Sequence, residues 1–126
     1  MIYGIGVDLV RVARIAAAME RHGDRFLTRI FTPREIEHCQ GKTWTVNGFA
    51  LRFAAKEAFS KALGVGLRQG GIRWLEVEVL PDPRGKPEIF VSGRAEKLCR
   101  EAGITGMHLT LTDEDDRALA VVVIEK

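Results

Sequence analysis

Apolar residues change their spacing several times along the chain, and each change predicts an element. Residues 2–8 (Ile-Tyr-Gly-Ile-Gly-Val-Asp) read as a short strand closed by Asp8. Its two glycines, Gly4 and Gly6, mark positions where a neighbouring backbone comes close. Val12, Ile15, Ala16 and Met19 then recur at helical spacing until His22-Gly23 stops them. Phe26, Leu27 and Ile30 form the apolar side of a short helix over 24–30. Thr32-Pro33-Arg34-Glu35 opens a third helix, with Thr at the N-cap, Pro at N1 and Glu at N3, and this helix runs to about Cys39. The longest helix covers roughly 46–63 and holds Phe49, Ala50, Phe53, Ala54, Ala58 and Leu63. It ends at Gly64-Val65-Gly66, from which a glycine-rich loop runs to Gly71.

Beyond the loop the period falls to two. Trp74 to Leu80 alternates as a strand, 81–86 is turn material, and 87–91 pairs back as a hairpin. Ser92 caps a helix over 93–102, ahead of Gly103. The last strands, 107–112 and 118–125, are joined by the acidic turn Asp113-Glu114-Asp115-Asp116. The order strand, helices, hairpin, helix, hairpin predicts an α+β fold, a mostly antiparallel sheet packed against a long central helix. There is no repeat and no linker. At about 100–200 residues per domain, residues 1–126 make one domain.

Composition excludes several classes. Hydrophobic residues are 46% and charged residues 29% of the chain, a globular balance rather than a disordered one. No apolar run approaches the roughly 20 residues of a membrane helix. The first residues lack a basic segment and a cleavage site, so no signal peptide is expected. Cys39 and Cys99 make no disulfide framework, and neither stands at zinc-ligand spacing from a second Cys or a His. The expected compartment is the cytoplasm, with reduced thiols.

The net charge of +2 is too small to argue for nucleic acid, but its distribution is uneven. Between Val10 and Arg34 stand six arginines (11, 14, 21, 25, 29 and 34) and only two acids, Glu20 and Asp24. The segment reads either as a solvated helix face or as a docking face for something acidic.

A few residues have the right types for chemistry. Asp8 is either an N-cap for the following helix or a carboxylate at a strand end that could hold a hard cation. Glu57 and Lys61, four apart on the long helix, share a face with Phe53 among small residues. They form either a surface ion pair or the lining of a cleft. Magnesium takes one or two carboxylates and fills its other positions with water and substrate phosphate, so Asp8 with Glu57 would be enough. Lys61, one turn on, could hold a phosphate oxygen as a point charge. The loop 63–71 is not a Walker loop, yet its amides could approach phosphates. His108, Thr110 and Thr112 share one strand face, opposite Leu109 and Leu111; they are either a polar outer face or part of a ligand cleft.

Taken together, these segments resemble the holo-acyl-carrier-protein synthases, the short bacterial type of 4′-phosphopantetheinyl transferase. The resemblance is carried by Gly4-Ile5-Gly6-Val7-Asp8-Leu9-Val10 and by Phe53-Ala54-Ala55-Lys56-Glu57-Ala58-Phe59-Ser60-Lys61-Ala62. Gly64-x-Gly66, Asp82-x-x-Gly85-Lys86-Pro87 and His108-x-Thr110-x-Thr112 follow in the family's order, across nearly the whole chain. The resemblance implies that family's fold. It implies transfer of phosphopantetheine from coenzyme A to a serine of apo-acyl carrier protein, with release of adenosine 3′,5′-bisphosphate, in support of fatty acid biosynthesis. It implies Mg²⁺ held by Asp8 and Glu57, Lys61 against the phosphates, and Glu57 as first candidate for accepting the serine proton. It gives Gly64, Gly66 and His108 contacts to the coenzyme. It puts the acidic carrier protein on Arg14, Arg21, Arg25, Phe26 and Arg29, and it implies a homotrimer with the coenzyme cleft between subunits. The family often has a second histidine five residues after His108. Asp113 stands there instead, and because an anion repels phosphate it is left out of the site.

Two other readings compete. One is a non-catalytic module that binds an acidic partner through the Arg11–Arg29 face, with Asp8 a cap and Glu57–Lys61 a surface pair. The other, nucleic-acid binding, lacks interleaved exposed aromatics in the basic segment and enough total charge.

Overall fold

A computed structural model describes residues 1–126. The elements in chain order are β1 (Ile2–Arg11), α1 (Val12–His22), α2 (Asp24–Ile30), α3 (Pro33–Gln40) and α4 (Thr45–Leu63). A 3₁₀ turn (Trp74–Glu76), β2 (Val77–Pro81), β3 (Pro87–Val91), α5 (Gly93–Ala102), β4 (Gly106–Glu114) and β5 (Arg117–Glu125) follow. The strands form two antiparallel sheets rather than one, β1-β5-β4 and the β2-β3 hairpin.

Helix α4 is the core. It lies on β1 and β5 and is buried nearly all round, which removes the polar face a surface helix would show. Small residues permit this. Ala54, Ala55 and Ala58 are fully buried on α4, and so are Ala118, Ala120, Val122 and Ile124 on the inner face of β5. The two glycines of β1 bring its backbone onto the helix. A Cβ at Gly4 would stand 1.9 Å from the Ala62 carbonyl oxygen. Gly64 closes α4 with φ +83°, a left-handed cap that suits glycine.

Most predicted elements stand where the pattern put them, and the capping box of α3 is present. The Glu35 amide donates to Thr32 Oγ1 at 3.2 Å, and the Thr32 amide donates to Glu35 Oε1 at 2.9 Å. Three local expectations are corrected. Asp8 neither closes the strand nor caps a helix, because β1 runs on to Arg11 in register with β5. The first amides of α1 are satisfied from the β4–β5 turn instead: Val12 N donates to the Asp116 carbonyl at 3.0 Å, and Ala13 N to Asp116 Oδ1 at 3.1 Å. Residues 74–76 are a 3₁₀ turn rather than strand, held by the Glu76 carboxylate accepting from Arg73 N at 2.8 Å. Ser92 occupies the N-cap position of α5 without a side-chain cap bond; Glu76 Oε2 accepts from Arg94 N at 2.6 Å in its place. No helix is long and apolar enough to cross a membrane.

Candidate active site

The even-numbered residues of β1 face α4, so the strand period points Asp8 at the helix. There it meets a side chain 53 positions away: Lys61 Nζ donates to Asp8 Oδ1 at 3.1 Å and to the Val7 carbonyl at 3.0 Å. Glu57, one turn before Lys61 and half-buried, completes the group. Burial pushes the Glu57 carboxyl above the ordinary carboxylate range, and the negative charge of Asp8 adds to this. Lys61, Arg14 and Arg68 pull it back. Two carboxylates and a lysine thus converge from one strand and one helix.

Lys61 and Glu57 open onto a cleft of about 510 Å³ lined also by Ser60, Gly64, Val65, Gly66, Leu67 and Arg68. The loop beyond α4 folds back on itself. Ile72 N donates to the Gly66 carbonyl at 3.0 Å, and a Cβ on Gly71 would stand 1.9 Å from the Gly66 oxygen. Gly64 and Gly66 are both exposed on this wall. Lys61 and Arg68 give the cleft cationic walls, so it can receive an anion.

The residues that the resemblance assigns to carrier docking stand together. Arg14, Arg21, Arg25 and Arg29 are all exposed on α1 and α2, and Phe26 sits half-buried in a concavity with His22, Arg25 and Arg29. Arg14 does more than face outward. Its guanidinium lies 5.6 Å from the centre of the Phe53 ring, and Trp74 stacks on the same ring at 4.9 Å between centroids.

His108 lies elsewhere. With Thr110 and Thr112 it is exposed on the outer face of β1-β5-β4, where its Nε2 meets Glu125 Oε1. Leu109 points inward and is buried. The sheet therefore separates His108 from Glu57 and Lys61 of the same chain. Asp113 accepts from Asn47 Nδ2 at 2.8 Å, beside a concavity lined by His38, Lys42, Trp44 and Arg52. The thiols of Cys39 and Cys99 are buried, and burial raises both pKa values, so neither is an activated nucleophile.

Sequence reasoning missed two features. The charges of Arg14 and Arg68 act on Glu57 through space, an effect that no spacing in the sequence reveals. Lys56 is sealed in the core against Glu35, with Nζ to Oε1 at 2.7 Å. Its only sequence signal is a charge among the alanines and phenylalanines of α4.

An α+β frame whose central helix offers a carboxylate and a lysine to a glycine-lined, anion-receiving cleft, with a second carboxylate on the edge strand bonded to that lysine, fits a phosphate-handling class of proteins. Comparisons with known proteins narrow it. The 4′-phosphopantetheinyl transferase superfamily profile matches residues 4–122. A holo-[acyl-carrier-protein] synthase of Geotalea daltonii is 48% identical over 126 residues, covering 100% of both chains. The crystal structure of the synthase from Neisseria meningitidis superposes with a TM-score of 0.92 at 42% identity and full coverage of both chains. That of the Helicobacter pylori synthase in complex with coenzyme A superposes with a TM-score of 0.85 at 32% identity, covering 96% of this chain and 99% of that one. The chain belongs to the holo-[acyl-carrier-protein] synthase family of 4′-phosphopantetheinyl transferases.

Proposed function

We propose that this single-domain enzyme transfers the 4′-phosphopantetheine arm of coenzyme A to a serine hydroxyl of apo-acyl carrier protein, making the holo-carrier that fatty acid biosynthesis requires. The observation that carries the reading is the convergence of Asp8, Glu57 and Lys61 beside the Gly64–Gly66 wall. The serine oxygen forms a bond to the phosphorus that bears pantetheine. The pyrophosphate bond to that phosphorus breaks, and adenosine 3′,5′-bisphosphate leaves with the bridging oxygen. Lys61 holds a phosphate oxygen as a point charge, and the Gly66 amide closes on the pyrophosphate from the loop side, while Gly64, whose own amide donates to the Ser60 carbonyl at 2.8 Å, leaves that wall free of a side chain. Glu57, which lines the cleft beside Lys61, is the first candidate to accept the serine proton.

The donor set fits Mg²⁺. Asp8 and Glu57 are two hard oxygen ligands, and no group of three or more His, Cys, Asp or Glu side chains is arranged to hold a metal ion. Two carboxylates leave the other positions of a magnesium ion to water and substrate phosphate. Asp8 and Glu57 would hold such an ion, and it would supply charge neutralisation for the pyrophosphate.

The carrier protein docks on α1 and α2. Arg21, Arg25 and Arg29 steer an acidic surface, and Phe26 supplies the apolar anchor. The active unit is a homotrimer. Ile5, Val7 and Leu9 of β1 are 61%, 51% and 58% exposed. They stand in register with Val123, Val121 and Leu119 of β5. One sheet face thus carries six large apolar side chains, the kind of patch that marks a protein interface. His108, Thr110 and Thr112 rim the same face, so packing it on a second copy brings His108 towards another subunit's cleft. Free, buried cysteines suit the reducing cytoplasm.

The deciding experiment is intact-mass spectrometry of an apo-acyl carrier protein incubated with this protein, coenzyme A and Mg²⁺, beside an EDTA control. The carrier gains the mass of one phosphopantetheine, and EDTA abolishes the gain. An assembled, folded protein that adds nothing to any apo-carrier tested overturns the reading.

A further inference from the structure

Helix α4 carries one ammonium group that no solvent reaches. Lys56 is 0% exposed, and its Nζ donates to the Ile30 carbonyl at 2.8 Å, to Glu35 Oε1 at 2.7 Å and to the Trp74 carbonyl at 3.1 Å. Those are all the donors a protonated amine has. Glu35, equally sealed, accepts from Thr32 N through Oε1 at 2.9 Å and from Val79 N through Oε2 at 2.8 Å. A pair so placed is a poor device for stability alone, because apolar groups of similar volume do that as well or better. What the pair supplies is fixed geometry.

The bonds reach different elements. Ile30 is the last residue of α2, the helix that carries Arg25, Phe26 and Arg29. Trp74 opens the 3₁₀ turn that follows the glycine loop, and its ring stacks on Phe53, over which Arg14 lies. Glu35 belongs to the first turn of α3 and is tied through Val79 to β2. The ammonium at their junction belongs to the residue directly before Glu57.

We propose that Lys56, with Glu35, is a positioning residue for the transfer. It holds the carrier-protein docking helix and the far end of the coenzyme loop at a set distance from Glu57, touching neither substrate itself. The inference rests on the reading of α1–α2 as the docking face and of the Glu57–Lys61 cleft as the reaction site. Without this anchor, α2 and Trp74 remain folded but no longer hold the serine in line with the phosphorus. A misplacement of about 1 Å can cost on the order of a hundredfold in rate.

Lys56→Met alone strands the Glu35 carboxylate in the core, so the two are replaced together as Lys56→Met/Glu35→Gln, with Glu35→Gln as companion. Thermal melts establish the folded fraction, and transfer kinetics are measured per folded protein well below the melting temperature. The folded double variant shows kcat reduced about tenfold or more, and KM for apo-carrier raised about tenfold. Its KM for coenzyme A changes less than about threefold, because Lys61, Gly64 and Gly66 are untouched. Glu35→Gln, which keeps both carbonyl bonds of Lys56, loses less than the double variant. A folded double variant with wild-type kcat and carrier KM overturns the proposal, and so does an equal rise in both KM values. Should the double variant not fold, hydrogen exchange of the wild-type protein decides. A rigid anchor lets the amides of Thr32 and Val79 exchange only by global unfolding, whereas fast exchange there overturns it. Wild-type transfer, run in the same series, separates a failure of the reaction reading from a failure of the positioning one.

Discussion

Gly6 of β1 lies so close to Ala58 of α4 that a Cβ on the glycine would stand 1.8 Å from the alanine's carbonyl oxygen. The atom in the way is backbone, which no rotamer change can move. Asp8 is two residues along the same strand, and Glu57 and Lys61 flank Ala58 on the helix. The spacing of strand and helix therefore sets the spacing of the acids. Gly6→Ala pushes the two elements apart, and we expect a loss of about 3 kcal/mol or more in urea unfolding. Transfer activity falls further than the unfolded fraction explains. A variant of wild-type stability would mean that the β1–α4 contact is looser than described.

The raised Glu57 carboxyl has a consequence for stability in the absence of metal. A carboxyl whose folded pKa lies above its unfolded value favours the fold when protonated, and that contribution is lost as pH rises through the folded pKa. At pH 7 in EDTA the charged Glu57 is thus a burden on the fold. Glu57→Gln removes it and raises the melting temperature by about 1–3 °C. The difference closes as pH falls below the ordinary value of 4.5, where Glu57 is protonated in both states. Melts from pH 4 to 8 read this directly; a variant less stable than wild type at pH 7 contradicts it. On the proposed role of Glu57 as proton acceptor, the same variant transfers poorly.

The arginines divide by position. Arg21 and Arg25 are exposed on the proposed docking helices, and neither charge acts on Glu57. Reversing either to Glu should raise KM for the carrier protein by about tenfold or more and leave kcat and KM for coenzyme A unchanged. Arg14 is different, because it rests on Phe53 and its charge reaches Glu57. Arg14→Glu is therefore expected to lower kcat as well as weaken the docking that the resemblance assigns to it. Steady-state kinetics with each substrate varied in turn distinguish the two patterns.

The proposed trimer makes activity depend on assembly through the outer sheet face. Val121→Glu puts a charge at the centre of the apolar patch beside Val7, and we expect sedimentation to show monomers with little transfer. Mixed oligomers test the shared cleft more sharply. His108→Ala and Glu57→Gln are each deficient alone. Co-assembled in equal amounts, they restore about a quarter of the sites, the random-pairing expectation for a site built from two chains. A mixture no better than its parts places both residues in one subunit's chemistry, or His108 in none.

The sequence by itself determined what depends on near neighbours. Helical and strand periods placed α2, β3 and α5 at their observed bounds, and Thr32-Pro33-x-Glu35 placed the start of α3, because caps and amphipathic faces are settled within about one turn of chain. The types and spacing of Asp8, Glu57 and Lys61 were enough to single them out. Tertiary structure alone decided what depends on distant partners. Pairing with β5 carried β1 past Asp8 to Arg11, so Asp8 caps no helix and instead meets Lys61. The Glu76 carboxylate tightened 74–76 into a turn, although the residues alternate like a strand. Burial on all sides made Lys56 an internal anchor while Lys61, five residues on, stayed at the cleft. Both lysines look alike in the chain; what separates them is whether Ile30, Glu35 and Trp74, or Val7 and Asp8, supply the oxygens, and only the fold brings those oxygens to them.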